Sequence, residues 1–143
     1  MIDLQISKIL IIIMFFPFII SCTDTDLLQR FNNKPQNLEF IKYVNENGQI
    51  VCSAFYRVSG KYASIVEEYL IKNCNMGELV FLCCGWEPKD GRYGTFKNNE
   101  LLSDVNVYRH YRVTMYSDKT LINDRDRWVE IEYFYVVAEI VDT

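Results

Sequence analysis

Residues 49–58 read QIVCSAFYRV, residues 59–60 read SG and residues 61–74 read KYASIVEEYLIKNC; the change of period across Ser59-Gly60 decides the fold. In the first block Ile50, Cys52, Ala54, Tyr56 and Val58 alternate with Gln49, Ser53 and Arg57. Alternation places the apolar set on one face of a strand. In the second block Tyr62, Ile65, Val66, Tyr69, Leu70 and Asn73 recur at spacings of three and four, with Lys61, Ser64, Glu67, Glu68 and Lys72 largely elsewhere. That is one face of a helix, and Cys74 continues it. Ser59 or Ser64 can open the helix, Ser64 and Glu67 having capping-box spacing, and Gly77 is a natural stop. A strand running into an amphipathic helix predicts a sheet with that helix packed on one face.

Working outward, Leu38–Val44 reads as a strand joined to Gln49–Val58 through Asn45-Glu46-Asn47-Gly48. Asn-Gly is a hairpin signal because both residues tolerate positive φ. Leu79–Trp86 reads as a strand, and Glu87–Gly94, with Pro88 and two glycines, as a loop. In a strand from about Val105 to Tyr116, Val105, Val107, Tyr111, Val113 and Met115 face one way. Asn106, Tyr108, His110, Arg112, Thr114 and Tyr116 face the other. Trp128–Val141 reads as a long final strand. Leu27, Leu28 and Phe31 suit a short helix, opened by Asp24 or Asp26 and ended by Pro35. The expected fold is α+β: a mostly antiparallel sheet of about five strands with one main helix on one face, ordered β-β-α-β-β-β after the short N-terminal helix.

The chain has 143 residues, 50% apolar and 24% charged, which suits one globular domain. A net charge of −4 and the lack of a basic run argue against a nucleic-acid partner. Ten tyrosines and nine phenylalanines suit a half-buried sheet, or a binding face.

The amino-terminal stretch carries a targeting signature. Ile9–Ile20 is uncharged and apolar apart from Pro17, follows Lys8, and ends in Ile19-Ile20-Ser21-Cys22. Its length is that of a signal-peptide core, roughly 7–15 residues, and falls short of the about 20 needed to span a bilayer. The run resembles the lipobox of bacterial lipoprotein precursors. That resemblance implies a signal peptide over residues 1–21, lipid on Cys22, and a lipidated tether with the short helix over 22–34 before a single domain at 35–143. It also implies a membrane-held protein of the bacterial envelope. Thr23 rather than Asp follows the cysteine, which in the enteric rule points to the outer membrane, facing the periplasm.

Four cysteines then remain: Cys52, Cys74, Cys83 and Cys84. In an exported domain they suggest up to two disulfides. On a strand, Cys83 and Cys84 face opposite ways, so one can reach Cys74 and the other Cys52. A bond between Cys83 and Cys84 closes a strained eight-membered ring and ranks last. The spacing matches no zinc or thioredoxin-like pattern, and no cofactor or metal is expected.

Catalytic signals are thin. His110 lies mid-strand without a nucleophile motif, and no glycine-rich phosphate fingerprint occurs. Glu130 and Glu132 would share a strand face, a geometry open to acid–base work on an envelope polymer and equally to a solvated edge. The most singular segment is Cys83-Cys84-Gly85-Trp86-Glu87-Pro88. With Tyr56-Arg57-Val58-Ser59-Gly60 and Val66-Glu67-Glu68-Tyr69-Leu70 it is similar to an uncharacterised family of small bacterial lipoproteins, over residues 35–140, which implies no known activity. Trp86, Glu87 and Tyr93 are candidates for a binding rim, and Tyr108, His110 and Arg112 for a binding face; a buried Trp86 packed on a disulfide is the alternative. The expected function is non-catalytic binding of a protein partner, in one version an immunity-type inhibitor of a periplasmic toxin. A structural or assembly factor of the outer membrane is the alternative.

Overall fold

The computed structural model describes residues 26–30, 34–46, 48–95 and 109–142. The targeting segment 1–21, Cys22, Phe31, Asn47 and the start of the 105–116 strand, Tyr108 included, lie outside the described residues. The elements are α1 (Leu27–Arg30), β1 (Glu39–Asn45), β2 (Ile50–Ser59), α2 (Ala63–Cys74), β3 (Leu79–Leu82), β4 (Gly85–Pro88), β5 (Gly94–Thr95), β6 (Arg109–Ser117) and β7 (Tyr133–Asp142). Short 3-10 helices cover Gly60–Tyr62, Lys89–Gly91 and Arg125–Glu130. Five strands form an antiparallel sheet in the order β1-β2-β7-β6-β5, and β3-β4 is a separate hairpin.

The sheet has the expected parity. Cys52, Ala54, Tyr56 and Val58 of β2, Tyr111, Val113 and Met115 of β6, and Phe134, Val136, Ala138 and Ile140 of β7 are buried on one inner face. Helix α2 packs there through Ala63, Val66, Glu67, Leu70 and Cys74. The buried face is turned from the expected one: Ile65 is 53% exposed and Glu67 is only 4% exposed. The reason is that Glu67 finds hydrogen-bonding partners inside, described below. The helix ends earlier than Gly77, at Asn75, whose left-handed backbone (φ 58) turns the next N–H, that of Met76, back to Leu70 O at 3.3 Å.

Helix α1 is docked rather than a free tether, with Leu27 and Leu28 fully buried. The Asp26 carboxylate accepts from Gln29 N–H at 3.0 Å, from the Tyr56 hydroxyl at 2.8 Å and from Lys34 Nζ at 2.5 Å. Burial pushes that carboxyl up, but these partners together outweigh it and hold Asp26 below its ordinary value.

Two expected strands differ. Leu79–Trp86 folds back at Cys83-Cys84 into β3 and β4, pairing Leu79 with Pro88 and Phe81 with Trp86. On a straight strand Leu79 and Trp86 have opposite parity and cannot both reach the core. Folding back puts them on one face, where Leu79 is 1% and Trp86 4% exposed. Trp128, expected on the last strand, lies in the 3-10 helix opened by Asp124, whose side chain accepts the Asp126 N–H. Trp128 and Ile131 are both buried, and their spacing of three is the period of that helix.

Gly60 sits against this helix, donating to Ile131 O at 3.1 Å. A methyl group there would meet the Trp128 and Ile131 carbonyl oxygens at 1.9 and 2.2 Å. These are backbone atoms on two segments locked by the core, so relief requires moving the backbone. Gly60→Ala should therefore cost roughly 3 kcal/mol, read as a lower urea midpoint at unchanged slope.

Candidate functional site

The other face of the sheet has no described helix on it, because α1 and α2 both pack on the inner side. Its half-exposed side chains come from the alternate positions of β2, β6 and β7, and they pair with one another. Tyr116 lies opposite Tyr135, and their rings stack 5.7 Å apart. The Tyr135 hydroxyl donates to Asp118 at 3.0 Å. Burial first, and the nearby Asp118 carboxylate second, push both phenols up, so they remain protonated near neutral pH. The Arg57 guanidinium stands 4.5 Å over the Tyr133 ring and donates twice to Glu39, at 2.8 and 3.2 Å. Those hydrogen bonds hold the exposed Glu39 carboxyl below its usual range. Arg112 pairs with Glu139 and lies 4.9 Å from the Tyr93 ring.

Where the 87–94 segment meets this face, Glu87, Pro88, Gly91, Tyr93, Thr114 and Tyr116 line a cup of about 200 Å³. Aromatic walls and one exposed carboxylate suit a cationic side chain. Of the residues expected to bind, Glu87 and Tyr93 line the cup and Arg112 stacks on Tyr93. His110 lies on the same face of β6, opposite Val141. Tyr108 and the lipidation candidate Cys22 lie outside the described residues. Trp86 is not on a rim. It is buried at an edge-to-face distance of 5.0 Å from Trp128, and its Nε1 donates to Ile122 O at 2.9 Å. Arg57, Tyr133 and Tyr135 join the expected candidates on this face. Their alternation along β2 and β7 was the available signal.

The cysteines differ from expectation. Cys83 and Cys84 are exposed thiols outside any disulfide, and Cys74 is a buried thiol, likewise outside a disulfide. Cys52 is disulfide-bonded, its partner lying outside the described residues. The expected bonds from Cys83 and Cys84 to Cys74 and Cys52 are absent because the pair sits in the β3–β4 turn and not on opposite faces of a strand. The buried Trp86 accordingly packs on Trp128 and Phe81 and not on a disulfide. Glu130 and Glu132 do not share a strand face either. Glu130 is in the 3-10 helix, paired with Arg127 at 2.5 Å, and Glu132 precedes β7.

A second polar cluster lies inside. Arg125 donates to both Glu67 oxygens, at 2.6 and 2.8 Å, and to Leu79 O. Leu79 N–H donates to Glu67 at 2.8 Å. The guanidinium rests over Trp128 at 4.7 Å and Trp86 at 5.5 Å. Beside it is a shallow depression of about 530 Å³ that Phe81, Trp86, Asp124 and Arg125 help to line. Every carboxylate oxygen of Glu67 is taken, so this cluster is a fastener.

These features define a small α+β domain with one sheet face covered by helices and, among the described residues, no helix on the other. The chain belongs to the family described as a domain of unknown function (DUF4952), whose family model matches residues 14–86. No curated protein and no solved structure matches it.

Arg125→Ala should leave the buried Glu67 charge without its cation. A fully buried pair broken this way costs roughly 3–5 kcal/mol. Because the Arg125 side chain is 43% exposed, the expected loss is about 2 kcal/mol. Urea unfolding should show it, and pairing the change with Glu67→Gln should recover part of it.

Proposed function

We propose that the chain is an exported, lipid-anchored binding module of the bacterial envelope, which holds a protein partner on the open sheet face without catalysing a reaction. The observation that carries this reading is the array of pre-positioned tyrosine and arginine pairs on that face, with the Glu87–Tyr93–Tyr116 cup at its edge. Tyrosine and arginine dominate the energetics of protein interfaces. Rings already stacked lose little side-chain entropy on binding. The net charge of −4 and the Glu87 carboxylate favour a partner that inserts a lysine or arginine into the cup.

One observation supports export: the apolar run ends in Ile19-Ile20-Ser21-Cys22. A lipid thioether and a disulfide are exclusive fates for one sulfur. The anchor therefore requires that Cys22 carry acyl chains and not a bond to Cys52. Intact and peptide mass spectrometry of protein from native membranes should find acylated Cys22, and Cys22→Ser should move the protein to the soluble fraction. A Cys22–Cys52 cross-linked peptide as the main species would overturn the anchor and leave export standing.

For the binding face, a photo-cross-linker at Thr114 in native cells should capture one stoichiometric protein partner, whereas one at Ser64, exposed on α2, should not. Glu87→Lys should weaken binding of the purified partner at least tenfold. Equal capture from both positions, or none from Thr114, sinks the reading. The partner's identity then separates toxin inhibition from envelope assembly.

A further inference from the structure

We infer that Cys83 and Cys84 form a redox-active vicinal dithiol that exchanges with disulfides, closing reversibly to a ring between the two neighbouring sulfurs. The inference goes beyond the binding role and does not depend on it.

The placement of the pair carries the argument. Adjacent residues on a strand point apart, which made this bond the least favoured of the pairings. The structure puts both cysteines in the turn between β3 and β4. Cys83 has a left-handed backbone (φ 54), and Cys84 N–H bonds back to Leu82 O two residues earlier. That tight turn makes the two exposed side chains neighbours, and the adjacent Cys84 thiol pushes the Cys83 thiol above its ordinary value. Both thiols are exposed, so a disulfide substrate can approach either one. The third thiol, Cys74, is buried on α2 at 2% exposure, so it is a poor competitor for the second step. Left-handed backbone at a non-glycine residue is uncommon and is held here by its surroundings. The Cys84 carbonyl accepts Thr120 N–H at 2.8 Å, and Trp86 N–H donates to the Ser117 hydroxyl at 2.9 Å. The turn is thus bolted on its carboxyl-terminal side, and the two sulfurs stay neighbours.

The exchange needs one disulfide, R–S–S–R, as oxidant. One cysteine loses its proton, and its thiolate attacks a substrate sulfur. A protein–S–S–R bond forms, the R–S–S–R bond breaks, and the released R–S⁻ takes up a proton. The neighbouring cysteine then loses its proton and attacks the protein-side sulfur of the mixed disulfide. The Cys83–Cys84 bond forms, and the second R–S⁻ leaves and is protonated. The protein pair is oxidised by two electrons, and the substrate is reduced to two thiols. Strain in the eight-membered ring makes the product easy to reduce, as expected of a labile rather than a structural disulfide.

The test is to treat the purified full chain with oxidised glutathione and map the peptide containing residues 83 and 84. The wild type should lose two hydrogen masses on that peptide and retain no glutathione, and dithiothreitol should reverse the change. Cys83→Ser and Cys84→Ser, each lacking the resolving thiol, should each keep one glutathione. Trp86 emission should shift on oxidation of the wild type alone, because the ring closes two residues before it. Glutathione retained on the wild-type peptide, a bond from either cysteine to Cys74, or a peptide that stays reduced would each overturn the inference. The wild-type mass shift decides the matter even if a serine variant folds poorly.

Discussion

One buried carboxylate ties the domain together. Glu67, on the inner face of α2, meets Leu79 N–H at the start of β3 and both terminal nitrogens of Arg125, 58 residues further along the chain. A helix, a hairpin and a 3-10 segment converge on two oxygens. An unpaired carboxylate in that position would be costly, so each segment is obliged to be there. The indoles of Trp86 and Trp128 then fit edge to face beneath the guanidinium. Gly60 lets the end of β2 approach the Trp128 carbonyl closely enough to close the core over them.

This arrangement explains what could be read from the sequence and what could not. Strands β2 and β6 declared themselves, because every second residue faces one large apolar layer. The helix period was equally plain, but its buried face was misjudged by one position. Charge placed Glu67 outside, whereas its partners lie far away in sequence. The β3–β4 hairpin was hidden for a related reason. Leu79-Val80-Phe81-Leu82 is a good strand, yet nothing local says that the chain reverses at two cysteines. The evidence is tertiary, since only reversal lets Leu79 and Trp86 share the core. Trp128 was drawn into the last strand by its aromatic neighbours, whereas the three-residue spacing to Ile131 marked a 3-10 turn.

Covering one sheet face with helices left the other to manage its own polar groups. It does so with ion pairs at its surface, Arg57–Glu39 exposed and Arg112–Glu139 partly buried. Arg57 is shared between Glu39 and the Tyr133 ring, and Arg112 between Glu139 and the Tyr93 ring. The exposed Arg57–Glu39 pair contributes little to stability. Such a pair can be traded for contacts with a partner at small cost, whereas the Glu67–Arg125 pair cannot. The legible part of the candidate site was therefore its parity. Glu87 and Tyr93 were visible as unusual loop residues, but the cup they form with Tyr116 depends on how the 87–94 segment wraps the edge of β6.

The cysteines follow the same division between core and surface. Cys52 and Cys74 lie on the inner side, one oxidised and one an enclosed thiol. Cys83 and Cys84 occupy the one place where the hairpin must turn in the open. A turn of this tightness usually recruits glycine or asparagine, which tolerate positive φ. Here a cysteine takes that conformation. The backbone cost is accepted at a residue that supplies no packing, so packing does not account for it. What the pair does supply is two neighbouring sulfurs, and the bond from Cys84 O to Thr120 links their backbone to the segment that ends in the Tyr135-bound Asp118. The cysteine turn is therefore fastened to the loop that follows β6.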